Sequence, residues 1–316
     1  MSRRRATPVQ ELRALVLRAV SWILVRLPEA PLIGLADLAG GAWYRFAPKR
    51  AAQARRNLRR VAEALSAIDA TPPEVRTAAT DPEALERLVR AAFRHNARYY
   101  LEVARAPGLR QRDLDQRLLI ETPEIVDEAF ESGHPVIFVG LHFGALELPA
   151  RLLASRVGQA VAPMETLDDP ALQAWFVRTR GAAGVRIVGL REARRALLTA
   201  LRDGISVGLV GDRDLTGGGL PVTLFGAPAT LPLGPAMLGV ESDAPLFVVG
   251  VRRVGRGRYL GRLEPVTAPR EGTRRERVMA TTGALARAFE RIVADAPEQW
   301  WAVFFPIWPD LEAAGT

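Results

Sequence analysis

From residue 117 onward, short β-rich apolar runs alternate with stretches of helical texture. The runs are LLIE, VIFVG, AVAP, VRIVG, SVGLVG and LFVVGVRR. Runs this uniformly apolar suit strands buried on both faces. Strands separated by helix-length segments cross over and pair mainly in parallel. The expected fold class is therefore α/β, a mostly parallel central sheet flanked by helices. Ahead of the sheet, residues 9–66 read as helices broken at Pro28, Pro31 and Pro48, followed by the Pro/Thr-rich linker ATPPEVRTAATDPEA. A further helix starts near Pro82, with Leu85, Leu88, Val89, Ala92, Tyr99 and Val103 tracing an apolar stripe. After the sheet, residues 273–295 form a helix with Val278, Leu285, Phe289, Ile292 and Val293 on one side. The expected organisation is an N-terminal helical, membrane-interface segment at 1–70 and an α/β domain at 71–316, as one continuous structural unit.

Charge is distributed unevenly. The chain carries +8 in total, but residues 1–60 alone hold thirteen basic side chains against three acids, so this end seeks an anionic surface. The apolar segment LVLRAVSWILVRL at 15–27 is interrupted by Arg18 and Arg26 and is shorter than the ~20 residues of an unbroken span. MSRRR resembles the positive region of a signal peptide. No uninterrupted apolar region with a small-residue cleavage site follows it, so the segment is expected to be retained. Trp22, Trp43 and Tyr44 beside the arginines suit attachment at a cytoplasmic leaflet, peripheral or monotopic, as well as an ordinary core helix pair. Nucleic acid is not the expected partner: the arginines of KRAAQARRNLRRVAEAL recur without interleaved stacking aromatics, and no zinc-finger or RNP-type pattern is present. The absence of cysteine excludes disulfides, thiolate metal sites and cysteine nucleophiles.

Within PVIFVGLHFGALELPARLL, residues 135–153, His142 falls where an apolar strand gives way to a helix, and Glu147 follows five positions on. A strand end feeding a helix N-terminus is a common ligand position in α/β folds. An imidazole steadied by a carboxylate strips a proton from a hydroxyl. On a regular helix, residues five apart point roughly 140° away from each other. The dyad therefore requires His142 to lie in the turn before the helix, a turn that Gly140 and Gly144 make easy. A histidine that merely caps the helix is the alternative.

The segment 205–236 places Asp212, Arg213 and Asp214 at a strand end before three glycines. Charges clustered there are costly unless paired or used. No Gly-Lys-Ser/Thr follows, so this is not a Walker loop. Asp-x-Asp after a strand also fits a divalent metal with a nucleotide sugar, as in glycosyltransferases, and an Asp/Arg turn network. The metal reading assigns no role to His142, whereas proton abstraction needs no metal. The tail PEQWWAVFFPIWPD holds three of the six tryptophans. It fits either a lining for an acyl groove or a last strand and turn packed on the core, and packing is the expectation.

Five landmarks in order carry a family resemblance: NLRR at 57–60, GLHFGALE at 140–147, GDRDL at 211–215, LFGAPA at 224–229 with its following GPA, and PEQW at 297–300. Across most of its length the chain resembles the bacterial lipid A biosynthesis acyltransferases and their relatives that acylate phosphatidylinositol mannosides. The resemblance implies a glycerolipid-acyltransferase-like fold with membrane-associating N-terminal helices at the inner membrane. It also implies transfer of a fatty acyl group from acyl-CoA or acyl carrier protein, as co-substrate with no bound cofactor, to a glycolipid hydroxyl. It assigns His142 as base and Glu147 as the acid orienting it. Arg180 (or Arg178), Asp212, Arg213, Asp214, Phe225 and Gly226 are placed around the substrates, and no metal is assigned. The DRDL form and the PIW tail look more like the mannoside branch. That branch often has two phenylalanines where Leu224 and Phe225 stand. A membrane-docked lipid-binding protein that has lost the chemistry is the non-enzymatic alternative.

Overall fold

The computed structural model describes residues 7–214 and 217–312. The MSRRR start and Leu215 of the GDRDL turn lie outside the described residues. Helices α1 (Pro8–Arg26), α2 (Glu29–Phe46), α3 (Pro48–Leu65), α4 (Pro73–Ala78) and α5 (Pro82–Arg105) come first. The chain breaks at Pro28 and Pro48 as expected, but Pro31 sits in the first turn of α2, where its missing N–H would have had no helical partner. Asp81 caps α5 through the backbone N–H of Glu83.

The α/β region then runs α6 (Gln111–Arg117), β1 (Leu118–Ile120), α7 (Pro123–Glu131), β2 (Ile137–Gly140), α8 (Glu147–Val157), β3 (Ala160–Met164), α9 (Pro170–Gly181) and β4 (Val185–Gly189). It continues through α10 (Ala193–Arg202), β5 (Ser206–Val210), β6 (Leu220–Leu224), β7 (Ala227–Leu231), α11 (Gly234–Ser242), β8 (Leu246–Gly255), β9 (Arg258–Val266) and α12 (Arg274–Ala294). Thr273 and Glu276 close a reciprocal capping box at the start of α12.

Seven strands form one sheet in the order β1-β9-β8-β2-β5-β3-β4. Neighbours from β8 to β4 are parallel, and β9 runs antiparallel to β8. The sequence reading gave no strand at β9, whose apolar residues are interspersed with Arg258, Arg262 and Glu264, nor at β6 and β7, which form a separate antiparallel hairpin. Successive residues of β2 serve opposite faces. Phe138 joins the cluster under α7 and α8, whereas Ile137 and Val139 join the larger cluster shared with α10, α11 and α12. That larger cluster also takes in Leu58 and Val61 of α3, Val89 and Phe93 of α5, and Trp300 and Trp308 of the tail. The tail is not a strand. Among the described residues it forms short 3-10 turns at Pro297–Gln299, Trp301–Phe304 and Pro309–Leu311, with an isolated bridge from Phe143 to Trp300.

Candidate active site

Strands β2 and β5 are adjacent and parallel, with Gly140 paired to Val210. Residues equally far past each strand end therefore lie side by side. Two positions beyond Gly140 is His142, and two beyond Val210 is Asp212. His142 Nδ1 lies 2.6 Å from Asp212 Oδ1, and the backbone N–H of His142 donates to Asp212 Oδ2 at 3.0 Å. The Trp300 indole N–H donates to the same Oδ2 at 2.7 Å. Burial alone would raise the Asp212 carboxyl, but the charge and hydrogen bond of His142 and the Trp300 bond outweigh it and hold the group below its ordinary value. An ionised carboxylate only accepts, so Nδ1 carries a proton, and in the neutral ring the lone pair is on Nε2. The His142 side chain is 17% exposed while the carboxylate beside it is 1% exposed, which leaves the ring open to a reactant and its partner dry.

The expectation that Glu147 orients His142 is corrected. Glu147 is the first residue of α8 and is bound to Arg180, with Nη2 to Oε1 at 2.7 Å and Nε to Oε2 at 3.2 Å. His142 does lie in the turn before the helix, and Leu146 occupies the N-cap, so the histidine is not a cap. Its ring is committed to the neighbouring strand end. Arg180 also points Nη1 at Met164 Sδ, 3.0 Å away, and Arg178 is exposed on α9.

The turn itself is held from three sides. Gly144 has φ 51°, and a Cβ there would meet the Val251 carbonyl oxygen at 1.9 Å. Its N–H donates to Gln299 O at 3.0 Å, and its carbonyl accepts from Arg253 Nη2 at 2.9 Å. Arg253 is buried and clamped by Glu102 at 2.5 and 2.6 Å. The backbone N–H of Trp301 donates to His142 O at 2.9 Å, and the Trp301 ring stands edge-on to the imidazole at 4.4 Å while stacking on Tyr99. PEQW thus acts as a brace for the His142 turn and supplies the third donor to Asp212. The sequence reading counted PEQW as a landmark without giving Trp300 a role, and no local spacing connects Trp300 with a carboxylate 88 residues away.

Arg213 stacks on Phe305 at 3.7 Å. The Asp214 carboxylate accepts from the N–H groups of Gly217 and Gly219 at 3.1 and 2.7 Å. No group of three His, Asp or Glu side chains among the described residues is placed to hold a metal. Phe225 and Gly226, expected around the substrate, form the two-residue turn of the β6–β7 hairpin with φ 49° and 73°. The Phe225 ring is buried between Trp300 and Trp308 at 6.0 and 6.4 Å, where it supports the indole that binds Asp212.

Two apolar cavities open on either side of Glu147. One lies between α8 and the sheet, lined by Phe138, Gly140, Leu153, Ile187 and Gly208, with Glu147 and Arg180 at its polar end. The other lies among α5, α6 and β9, lined by Leu101, Leu109, Leu114 and Leu148.

Known proteins are similar to this chain over 89% of its length. A phosphatidylinositol mannoside acyltransferase of Mycolicibacterium smegmatis is 29% identical over 289 residues, covering 89% of this chain and 87% of the relative. One of Mycobacterium tuberculosis strain H37Rv is 30% identical, covering 89% and 84%. With the family described as bacterial lipid A biosynthesis acyltransferase matched over residues 3–305, the chain belongs to that family of acyltransferases.

Proposed function

We propose that the chain transfers a fatty acyl group from an acyl thioester, acyl-CoA or acyl carrier protein, to a sugar hydroxyl of a glycolipid such as a phosphatidylinositol mannoside or a lipid A-type precursor. The observation that carries this reading is the His142–Asp212 pair, which turns Nε2 away from the carboxylate, in a turn whose flanking residues Gly140 and Leu146 line an apolar cavity. Nε2 takes the hydroxyl proton as the oxygen attacks the thioester carbonyl. The tetrahedral centre collapses with cleavage of C–S, and the departing thiolate is protonated by the imidazolium. Asp212 fixes the tautomer and stabilises the transient cation. Glu147 holds Arg180 at the adjoining rim, where the guanidinium, with only the weak acceptor Met164 on Nη1, is available to the oxyanion. The cavity between α8 and the sheet takes the acyl chain, each buried CH₂ contributing about 0.8 kcal/mol.

A lipid acceptor calls for a membrane surface. Leu12, Leu15, Trp22, Leu35, Leu38 and Phe46 of α1 and α2 are exposed apolar residues interspersed with Arg13, Arg26 and Arg45. No helix of the described residues is long and apolar enough to cross a membrane. We place these helices flat on the cytoplasmic leaflet of the inner membrane. The test is thiol release from acyl-CoA with a glycolipid acceptor, followed by mass spectrometry of the product. His142→Ala lowers turnover by roughly 10²–10⁴-fold and a chelator leaves it unchanged. Full turnover in His142→Ala, or chelator-sensitive sugar transfer instead of acyl transfer, would overturn the reading.

A further inference from the structure

Several half-buried arginines of this fold hold carboxylates, Arg55 with Glu86, Arg98 with Asp37 and Arg180 with Glu147, and others such as Arg56 and Arg151 bond backbone carbonyls. Exposed Arg50 and half-buried Arg213 hold no carboxylate of the described residues. Among the described residues no acidic side chain lies within ion-pair distance of either, and both instead stack on one ring, Phe305, with their guanidinium carbons 4.6 and 3.7 Å from its centre. The two guanidinium carbons are thus no farther apart than the sum of those distances, near enough for the charge of Arg50 to act on Arg213.

The arrangement is built rather than incidental. Phe305 is fixed because buried Asn57 donates through Nδ2 to the carbonyls of Val303 and Phe305 at 2.9 and 2.8 Å. This explains why NLRR and the aromatic tail belong together. Arg50 leaves α3, donating weakly to Phe304 O at 3.3 Å, and Arg213 leaves the end of β5 directly after Asp212, which binds the imidazole. Burial, opposed by the charges of Asp212 and Glu165 and reinforced by that of Arg50, holds Arg213 below its ordinary value. Arg50 is exposed, so the pair is reachable from solvent. It also follows Phe46, 80% exposed at the end of α2, by one helical turn's length of chain.

We propose that Arg50 and Arg213, stacked on Phe305 beside the His142–Asp212 pair, bind a phosphate group of a substrate and so orient it for acyl transfer. Guanidinium forks match phosphate oxygens bidentately, and an aromatic face pre-orders them at little entropic cost. A phosphate can arrive in two ways, as the phosphodiester of the lipid acceptor or as a phosphate of the donor's carrier. The proposal rests on the acyl-transfer reading only for the role of that phosphate.

Calorimetric titration of the purified full chain separates the sources. One probe is a deacylated glycerophosphodiester, standing for the acceptor, and the other is adenosine 3′,5′-bisphosphate, standing for the donor. Removing either guanidinium, in Arg50→Gln or Arg213→Gln, is expected to weaken one of the two probes by about tenfold or more. Loss of the first probe assigns the clamp to the acceptor, and loss of the second assigns it to the donor. Arg50 is exposed, so Arg50→Gln keeps the fold and its result stands if Arg213→Gln misfolds. Undiminished binding of both probes in the variants, or wild-type protein that binds neither, overturns the proposal. Phosphate binding that persists in a chain showing no acyl transfer would instead sink the reaction reading while leaving the clamp in place.

Discussion

Replacing Asp212 by Asn tests the proposed base directly, because the hydrogen-bond inventory fixes which way the amide must face. Oδ2 accepts from two donors, the His142 backbone N–H and the Trp300 indole N–H, whereas Oδ1 meets only the ring nitrogen. An asparagine carries one oxygen. Placing it at the Oδ2 position keeps both donors satisfied and points the NH₂ at Nδ1, whereas the opposite flip sets an NH₂ against two N–H groups at a cost of several kcal/mol. The favoured orientation forces Nδ1 to accept, so Nε2 carries the proton and can no longer take one from the acceptor. The stabilisation of the imidazolium by a buried negative charge disappears as well. The expected loss in kcat is the full general-base contribution, about 10²–10⁴-fold, with KM for the acyl thioester little changed. Two of the three bonds survive, so the melting temperature moves only a few degrees. The assay is steady-state thiol release, with Glu147→Gln run in parallel. Glu147 acts on Arg180 rather than on the imidazole, so its variant retains the wild-type pH profile of kcat, whereas Asp212→Asn does not. An Asp212→Asn enzyme within about threefold of wild type, or a Glu147→Gln variant that alone abolishes the base ionisation, would refute the argument.

Gly144→Ala drives a Cβ to 1.9 Å from the Val251 carbonyl at a positive φ, so urea denaturation is expected to show a loss of about 3 kcal/mol or more, with the His142 turn displaced. Trp300→Phe keeps the ring but deletes one donor to buried Asp212, and about 1–3 kcal/mol of stability is expected to go with it, together with part of the activity. Burial, and then the charges of Arg253, Arg98 and Arg94, push His95 from the ordinary 6.5 to about 3. The unfolded chain therefore binds a proton in this window that the native state refuses, and stability falls as pH drops from 6.5 towards 3. At ~1.4 kcal/mol per tenfold change this is worth a few kcal/mol at most, and His95→Leu flattens that acid limb in denaturation curves measured between pH 7 and 4. A slope equal to that of wild type would exclude His95 as its source.

The architecture was legible because it depends on local pattern. Apolar runs such as VIFVG and SVGLVG, separated by helix-length segments, admit few arrangements other than a parallel sheet, and the stripe through Leu85, Val89 and Val103 specifies α5. The β6–β7 hairpin escaped notice because its turn is Phe225-Gly226, lacking the Asn or Asp that usually marks such a turn. Pro31 read as a break because proline signals a helix start and a helix end alike, and only the position of the first turn distinguishes them.

The sequence by itself determined that a histidine would stand at a strand end with acids within reach, since strand boundaries and glycine turns are written in neighbouring residues. It did not determine which acid. His142 and Glu147 are close along the chain, whereas His142 and Asp212 are 70 residues apart and meet because Gly140 pairs with Val210 across two parallel strands. Trp300 and the Arg50–Phe305–Arg213 stack were likewise beyond its reach. Each joins segments that touch only after the tail packs against α3 and the sheet, and a contact between distant segments is a property of the assembled core rather than of any local spacing.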